Sequence, residues 1–343
     1  MSIRDNYQLV VAVDFPNPNM NTRTHLLFLA ALLSAWGDHS RPAVAQQPDI
    51  PPALLERLSV KHLPNAIKIH AKVISGGMPE GDAAFEELKA LGVMTVISVD
   101  GAKPDVELAK KYGMRYVHLP HGYDGITDAR IEELGKAVRD LPGPIYLHCH
   151  HGKHRSPAAA AAACVTSGLI PAADARQVLV IAGTSEHYKG LFQSVASARR
   201  IDDKVLDALN TEFPAIAKLP PMAEAMIDIQ HASEHLKAFA AARWKPLADK
   251  PALEPAHEAL LLREQFTELL RAEETKKRPE RFQTLLSEGE TAAIDLETQL
   301  RDWIAAGRPE EIPTKIPAIL ERISRNCTAC HKQFRDVPLG EKK

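Results

Sequence analysis

The spacing of apolar residues changes character twice along this chain. From about residue 66 to 212 short apolar runs alternate with helical patterns. The runs at 71–75, 93–99, 115–119 and 145–148 read as strands, the second of them rich in β-branched residues. Between them 82–91, 105–112 and 127–141 read as helices, with Asp82 and Thr127 placed as N-caps. After Cys164 two or three further helical segments run to about Leu209. The prolines of Phe213-Pro214 and Leu219-Pro220-Pro221 then interrupt all periodicity. Beyond them strand signals vanish. The stretches 222–244, 257–274, 280–306 and 314–335 repeat apolar residues at helical spacing, clearest in Phe282, Leu285, Leu286, Gly289, Ala292, Ala293, Leu296, Leu300 and Ile304.

Alternating strands and helices predict an α/β N-terminal domain, a mainly parallel sheet with helices on both faces. Four helices with short connections predict an all-α antiparallel four-helix bundle after it. The 343 residues suit two domains. The expected boundaries are a linker at 46–65, the first domain at 66–212, a second linker at 213–221 and the bundle at 222–340. A formal net charge of −2 gives no whole-chain argument for nucleic acid or an anionic membrane.

Residues 1–45 are set aside from the fold. After Met20 come Arg23 and His25, an apolar run from Leu26 to Trp36, and Ala43-Val44-Ala45. These match the parts of a secretory signal in order, so cleavage is expected after Ala45 and translation is expected to start at Met20. The run is too short for a permanent span, so the expected location is periplasmic or secreted.

The chemistry concentrates in His148-Cys149-His150-His151-Gly152-Lys153-His154-Arg155-Ser156, between an apolar strand and an alanine-rich helical segment. A tight loop there directs successive amides and a guanidinium at one point, where a phosphoryl group fits. A cysteine at the floor of that ring is expected as the thiolate nucleophile. Gly152 permits the turn, Pro157 suits a first helical turn, and Ser156 is placed to donate to the sulfur. The segment resembles the HCxxGxxR[S/T] signature of cysteine-dependent protein tyrosine and dual-specificity phosphatases, matching at His148, Cys149, Gly152, Arg155 and Ser156. That resemblance implies a phosphocysteine at Cys149, phosphoryl binding by Arg155, assistance to breakdown by Ser156 and ordering of the loop by His148. His150, His151, Gly152, Lys153 and His154 would complete the substrate-binding loop.

Such an enzyme needs a proton donor for the leaving oxygen. Asp124, in His121-Gly122-Tyr123-Asp124-Gly125, is the leading candidate, with Asp128 and Asp100 as alternatives. A metal held by His150, His151 and His154 is weighed and set lower, because these side chains shape the entrance more easily than they converge. Cys164 is expected in the core.

Near the C-terminus, Cys327-Thr328-Ala329-Cys330-His331 is a C-x-x-C-H, the pattern of c-type haem attachment. With Phe334 and Arg335 it resembles the C-terminal motif of cytochrome c-prime and related four-helix class II cytochromes. The resemblance implies haem c, thioethers at Cys327 and Cys330, and His331 on the iron. Met226, with Met222 one turn before it, is the candidate distal ligand, and a five-coordinate iron is the other outcome. His231 and His235 are expected on a solvated face. The combined expectation is an exported phosphatase acting on a phosphorylated protein or small phosphoester, fused to a haem domain for electron transfer or redox sensing with a redox partner protein. The alternative is an electron carrier or haem sensor whose first domain only binds anions or partners.

Overall fold

The computed structural model describes residues 50–342. The signal-like stretch at 20–45 and the first residues of the 46–65 linker lie outside the described residues. The first region runs β1 (Glu56–Arg57), β2 (Ile67–His70), β3 (Val73–Gly77), α1 (Gly81–Ala90), β4 (Thr95–Ser98), α2 (Val106–Lys111), β5 (Arg115–His118), α3 (Asp128–Asp140), β6 (Ile145–Cys149) and α4 (Arg155–Thr166). Helices α5 (Ala172–Ala182), α6 (Lys189–Ser197) and α7 (Asp203–Ala208) complete it. The six strands form one sheet in the order β1-β2-β3-β6-β4-β5.

The sheet is mixed. β3, β6, β4 and β5 pair in parallel, while β1 with β2 and β2 with β3 are antiparallel. The expectation of a mainly parallel sheet overlooked the ribbon at one edge. Part of that ribbon, β1, falls inside the stretch read as a linker. Ile67-Lys68-Ile69-His70 alternates for only four residues beside a proline-rich segment, too short a signal to stand out.

Side chains of period two divide between two cores. Ile67, Ile69, Ile97, Val117, Ile145 and Leu147 face one layer, which includes α3 and the alanines of α4. Ile74, Val96, Tyr116 and Tyr146 face the other, against Phe85 and Leu88 of α1. Asp105 and Thr127 cap α2 and α3 through the amides of Leu108 and Arg130. Asp82 does not cap α1, whose N-cap is Glu80; it lies in the first turn and accepts from the Tyr112 hydroxyl at 2.7 Å. Cys164 is fully buried, as expected.

The second region contains α8 (Pro221–Ala241), α9 (Pro255–Arg271), the short α10 (Glu273–Lys276), α11 (Glu280–Ala305) and α12 (Lys315–Cys330), which one π-helical turn, His331–Arg335, extends. α9 packs on α8 and α11, and α11 on α12, around one apolar core. The buried face of α11 is the predicted one except that Trp303 is buried where Ile304 is expected, and that Glu297, paired with Arg263 and Arg301, is buried as well. His235 departs from the solvated face foreseen for it: its Nδ1 lies 2.8 Å from Oε2 of the buried Glu258, while His231 is exposed.

All described residues belong to one compact unit. The segment at 213–221 runs against β5, with His118 N donating to Pro214 O at 2.8 Å and Ala217 N contacting His118 Nδ1 at 3.1 Å. Among the described residues no helix is long and apolar enough to cross a membrane.

Candidate active site

The nine-residue segment forms the tight turn between β6 and α4, at the carboxyl end of a central strand, where open α/β sheets place ligands. α4 is buried from Ser156 to Thr166. Six consecutive alanines let neighbouring layers approach it closely, so solvation of its first turn has to come from the loop side.

The loop's carbonyls are turned outward and held there. His150 O accepts from Met78 N at 3.1 Å, Gly152 O from Asn65 Nδ2 at 2.8 Å, and Lys153 O from Thr184 Oγ1 at 2.6 Å. Among the described residues the amides of His150 through Arg155 donate to no protein acceptor. That arrangement leaves a run of donors facing one space, with the positive end of α4 behind them. Gly152 has φ +69°, and a Cβ there would stand 2.4 Å from Gly77 N, so only glycine fits. Gly76 is equally constrained, since a Cβ would meet the Tyr146 hydroxyl at 2.1 Å.

Cys149 lies beneath this ring, 3 % exposed, with Sγ 3.3 Å from Ser156 Oγ. Ser156 Oγ donates in turn to Gly76 O at 2.9 Å. Arg155 has no carboxylate within 4 Å among the described residues, and its Nε is buried without a partner. Its guanidinium instead lies 4.6 Å from the centre of the Tyr123 ring. A half-buried cation with no counter-ion beside a run of free amides is a site built for an anion.

His148 is buried, and its Nε2 lies 2.6 Å from the Tyr116 hydroxyl. Burial pushes its imidazole down to about 4, so it is neutral at neutral pH. His154 is also pushed down to about 4, by burial first and then by His151 and Lys153. Its ring packs 4.7 Å from Tyr188. Lys153 and His151 are exposed at the mouth.

Asp124 is the candidate acid on the loop that carries Tyr123. It is not free: Lys342 pairs with its Oδ2, and its carbonyl accepts from Leu339 N at 3.0 Å. Asp128 begins α3, and Asp100 is buried, accepting from Ala102 N at 2.9 Å. Asp124 therefore remains the only one of the three on the Tyr123 loop. The segment after α12 supplies more of this wall. Arg335 lies 4.4 Å from the Tyr123 ring, and Asp336 Oδ2 sits 3.1 Å from His187 Nε2. These C-terminal contacts, with Asn65, Thr184 and Tyr116, are site residues that no motif marks in the sequence.

No protein-family model matches the chain, and no curated protein matches it. Solved structures do. TpbA of P. aeruginosa is 21 % identical, with 41 % of this chain and 88 % of that one covered at a TM-score of 0.34. A putative phosphatase of Shewanella putrefaciens CN-32 is 19 % identical over 39 % of this chain and 90 % of its own, at 0.33. The catalytic domain of the PP-IP phosphatase SIW14 of S. cerevisiae is 14 % identical over 43 % and 92 %, also at 0.33. These values are too low to assign the chain to a family.

The haem-motif residues lie together in the second region. Cys327 and Cys330 are three apart on the last turn of α12, Cys330 buried and Cys327 half-buried, and burial raises both thiols, Cys330 to about 11. His331 opens the π-helical turn and is pushed down to about 4 by burial, which keeps its imidazole neutral. Met222, Met226, Cys327 and Phe334 all pack against the core that contains Cys330.

Proposed function

We propose that the first region is a cysteine-dependent phosphatase of the protein tyrosine and dual-specificity type. The observation that carries this reading is Cys149 beneath a run of unpaired amides that face one space, with Arg155 left without a counter-ion among the described residues. In the first step the Cys149 sulfur, as thiolate, attacks phosphorus; the S–P bond forms as the P–O bond to the leaving group breaks, and Asp124 gives its proton to that oxygen. Arg155 and the loop amides hold the equatorial oxygens. In the second step water attacks phosphorus, Asp124 takes its proton, and Ser156 donates to the departing sulfur. His150, His151, Lys153 and His154 line the approach of an anionic substrate, a phosphoprotein or a small phosphoester. Cys149→Ser is expected to reduce aryl phosphate hydrolysis to background while the protein stays folded. Turnover equal to that of the unaltered protein would remove the mechanism.

We propose further that the second region carries haem c. The donor set fits: two thiols on one helical face at the edge of an apolar core, followed by a neutral imidazole. Cys327 and Cys330 would form the thioethers, His331 would bind the iron, and Met226 is the candidate for a second iron ligand. Bound haem would supply reversible one-electron transfer, with a redox partner protein. Attachment of this kind goes with export, as the signal-like stretch at 20–45 does. Protein made in cells that mature c-type cytochromes is expected to keep porphyrin through denaturing electrophoresis, and C327A/C330A is expected to lose it. Retention by the double variant would exclude thioether attachment.

A further inference from the structure

His150 and His151 do what adjacent residues of an extended chain do not: their rings converge, with centroids 4.4 Å apart. The tight turn of the anion-binding loop brings them to one side. Glu234, on the helix that opens the second region, reaches the same point, with Oε1 3.2 Å from His150 Nε2. From the loop alone these histidines are expected to shape the entrance and not to converge; the carboxylate beside them comes from α8, which no local pattern links to the loop.

We propose that His150, His151 and Glu234 form a binding site for a zinc-like divalent transition-metal ion that ties helix α8 to the anion-binding loop. One ligand atom from each lies within 4.8 Å of the other two. Metal–ligand bonds of about 2.0–2.1 Å at tetrahedral angles hold donors roughly 3.4 Å apart. The His150–Glu234 pair already stands near that separation, and a rotation of the exposed His151 ring closes the third distance. Gln230 Nε2 donates to Glu234 Oε1 at 3.0 Å, from one turn earlier on α8, and so orients the carboxylate. Two imidazoles and one carboxylate select zinc and its neighbours over magnesium or calcium, which prefer oxygen. Because the cluster opens to solvent at His151, a fourth position is left for water or another anion.

A plain His150–Glu234 ion pair is the competing account. It gives His151 no role and predicts no specific metal affinity. The two are separated on the full-length holoprotein, stripped with a chelator and titrated with Zn²⁺ against a chromophoric competitor. We expect one Zn²⁺ per chain to be bound through these residues, and at least about tenfold weaker binding in both Glu234→Ala and His151→Ala. Glu234 is half-buried at the surface, and circular dichroism of the variants checks that α8 is retained. Co²⁺ in place of Zn²⁺ is expected to show no sulfur-to-metal charge-transfer band in the component that Glu234→Ala removes, which separates this site from Cys149, Cys327 and Cys330. Unchanged Zn²⁺ affinity in Glu234→Ala, or a cobalt–thiolate spectrum in that component, would overturn the site. Either result leaves the phosphatase reading to its own test at Cys149.

Discussion

Asp124 is held between two demands. Its carboxylate pairs with Lys342, yet in the proposed reaction one of its oxygens has to face the leaving group. Removing the carboxylate tests whether it serves as acid. Asp124→Asn is expected to lower kcat by about 10²–10⁴-fold for an alkyl phosphate, and much less for a substrate with a good aryl leaving group, which departs without a proton. Equal losses on both substrates would take the acid role from Asp124. Cys149, Gly152, Arg155 and Ser156 were legible in the sequence because loop geometry demands particular residue types at fixed separations. Tyr123 was not. It sits against both Arg155 and Arg335, residues 32 and 212 positions further along the chain, and no local pattern encodes such a meeting.

At the scale of elements, the C-terminal strap from Asp336 to Lys342 is the feature with the most direct bearing on turnover. It leaves the π-helical turn that begins at His331, lies along the Asp124 loop through Leu339 N and Lys342, and reaches the segment before α6 through the Asp336–His187 pair. Both partners of the Lys342–Asp124 pair keep some exposure, with side chains 39 % and 14 % accessible, so the pair is worth no more than about 1 kcal/mol. If Asp124 must leave Lys342 to reach the leaving oxygen, Lys342→Ala is expected to raise kcat by up to about fivefold at low ionic strength. Added salt is expected to raise the wild-type rate toward that of the variant and to leave the variant nearly unmoved. A fall in kcat for Lys342→Ala would show that the strap positions Asp124 instead of restraining it. Helix α11 was read almost residue for residue, because 26 residues of regular spacing outweigh local noise. The β1–β2 ribbon was missed because two- and four-residue strands offer too few positions to show a period.

For the molecule as a whole, the second region touches the first at the anion-binding loop, through Glu234, and at the Asp124 loop, through Leu339 and Lys342. A Cβ at Gly101, after β4, would stand 2.7 Å from Ile227 of α8, so the two regions are in direct contact on that side too. His148, buried on the face of the sheet that carries Tyr116 and Tyr146, links pH to stability. Its imidazole drops from 6.5 to about 4 on folding because burial disfavours the cation. Between those values the unfolded chain binds a proton that the folded chain does not. Stability is therefore complete above pH 6.5 and lost as pH falls toward 4, by up to about 3 kcal/mol from this residue. Denaturant melts of the first region at pH 7, 6, 5 and 4 are expected to show that loss, and His148→Gln is expected to flatten it. An equal slope in the variant would place the proton uptake elsewhere.

Taken alone, the sequence determined the α/β class of the first region, the long helices of the second, the Cys149–Arg155 loop and the C-x-x-C-H segment at the end of α12. Each is written in neighbouring residues, through a hydrophobic period or through residue types that a tight turn requires. The tertiary structure decided what those pieces face: Glu234 against His150 and His151, Lys342 on Asp124, and Tyr123 between two arginines. Such pairings depend on how separate elements pack, and packing joins residues whose distance along the chain carries no pattern.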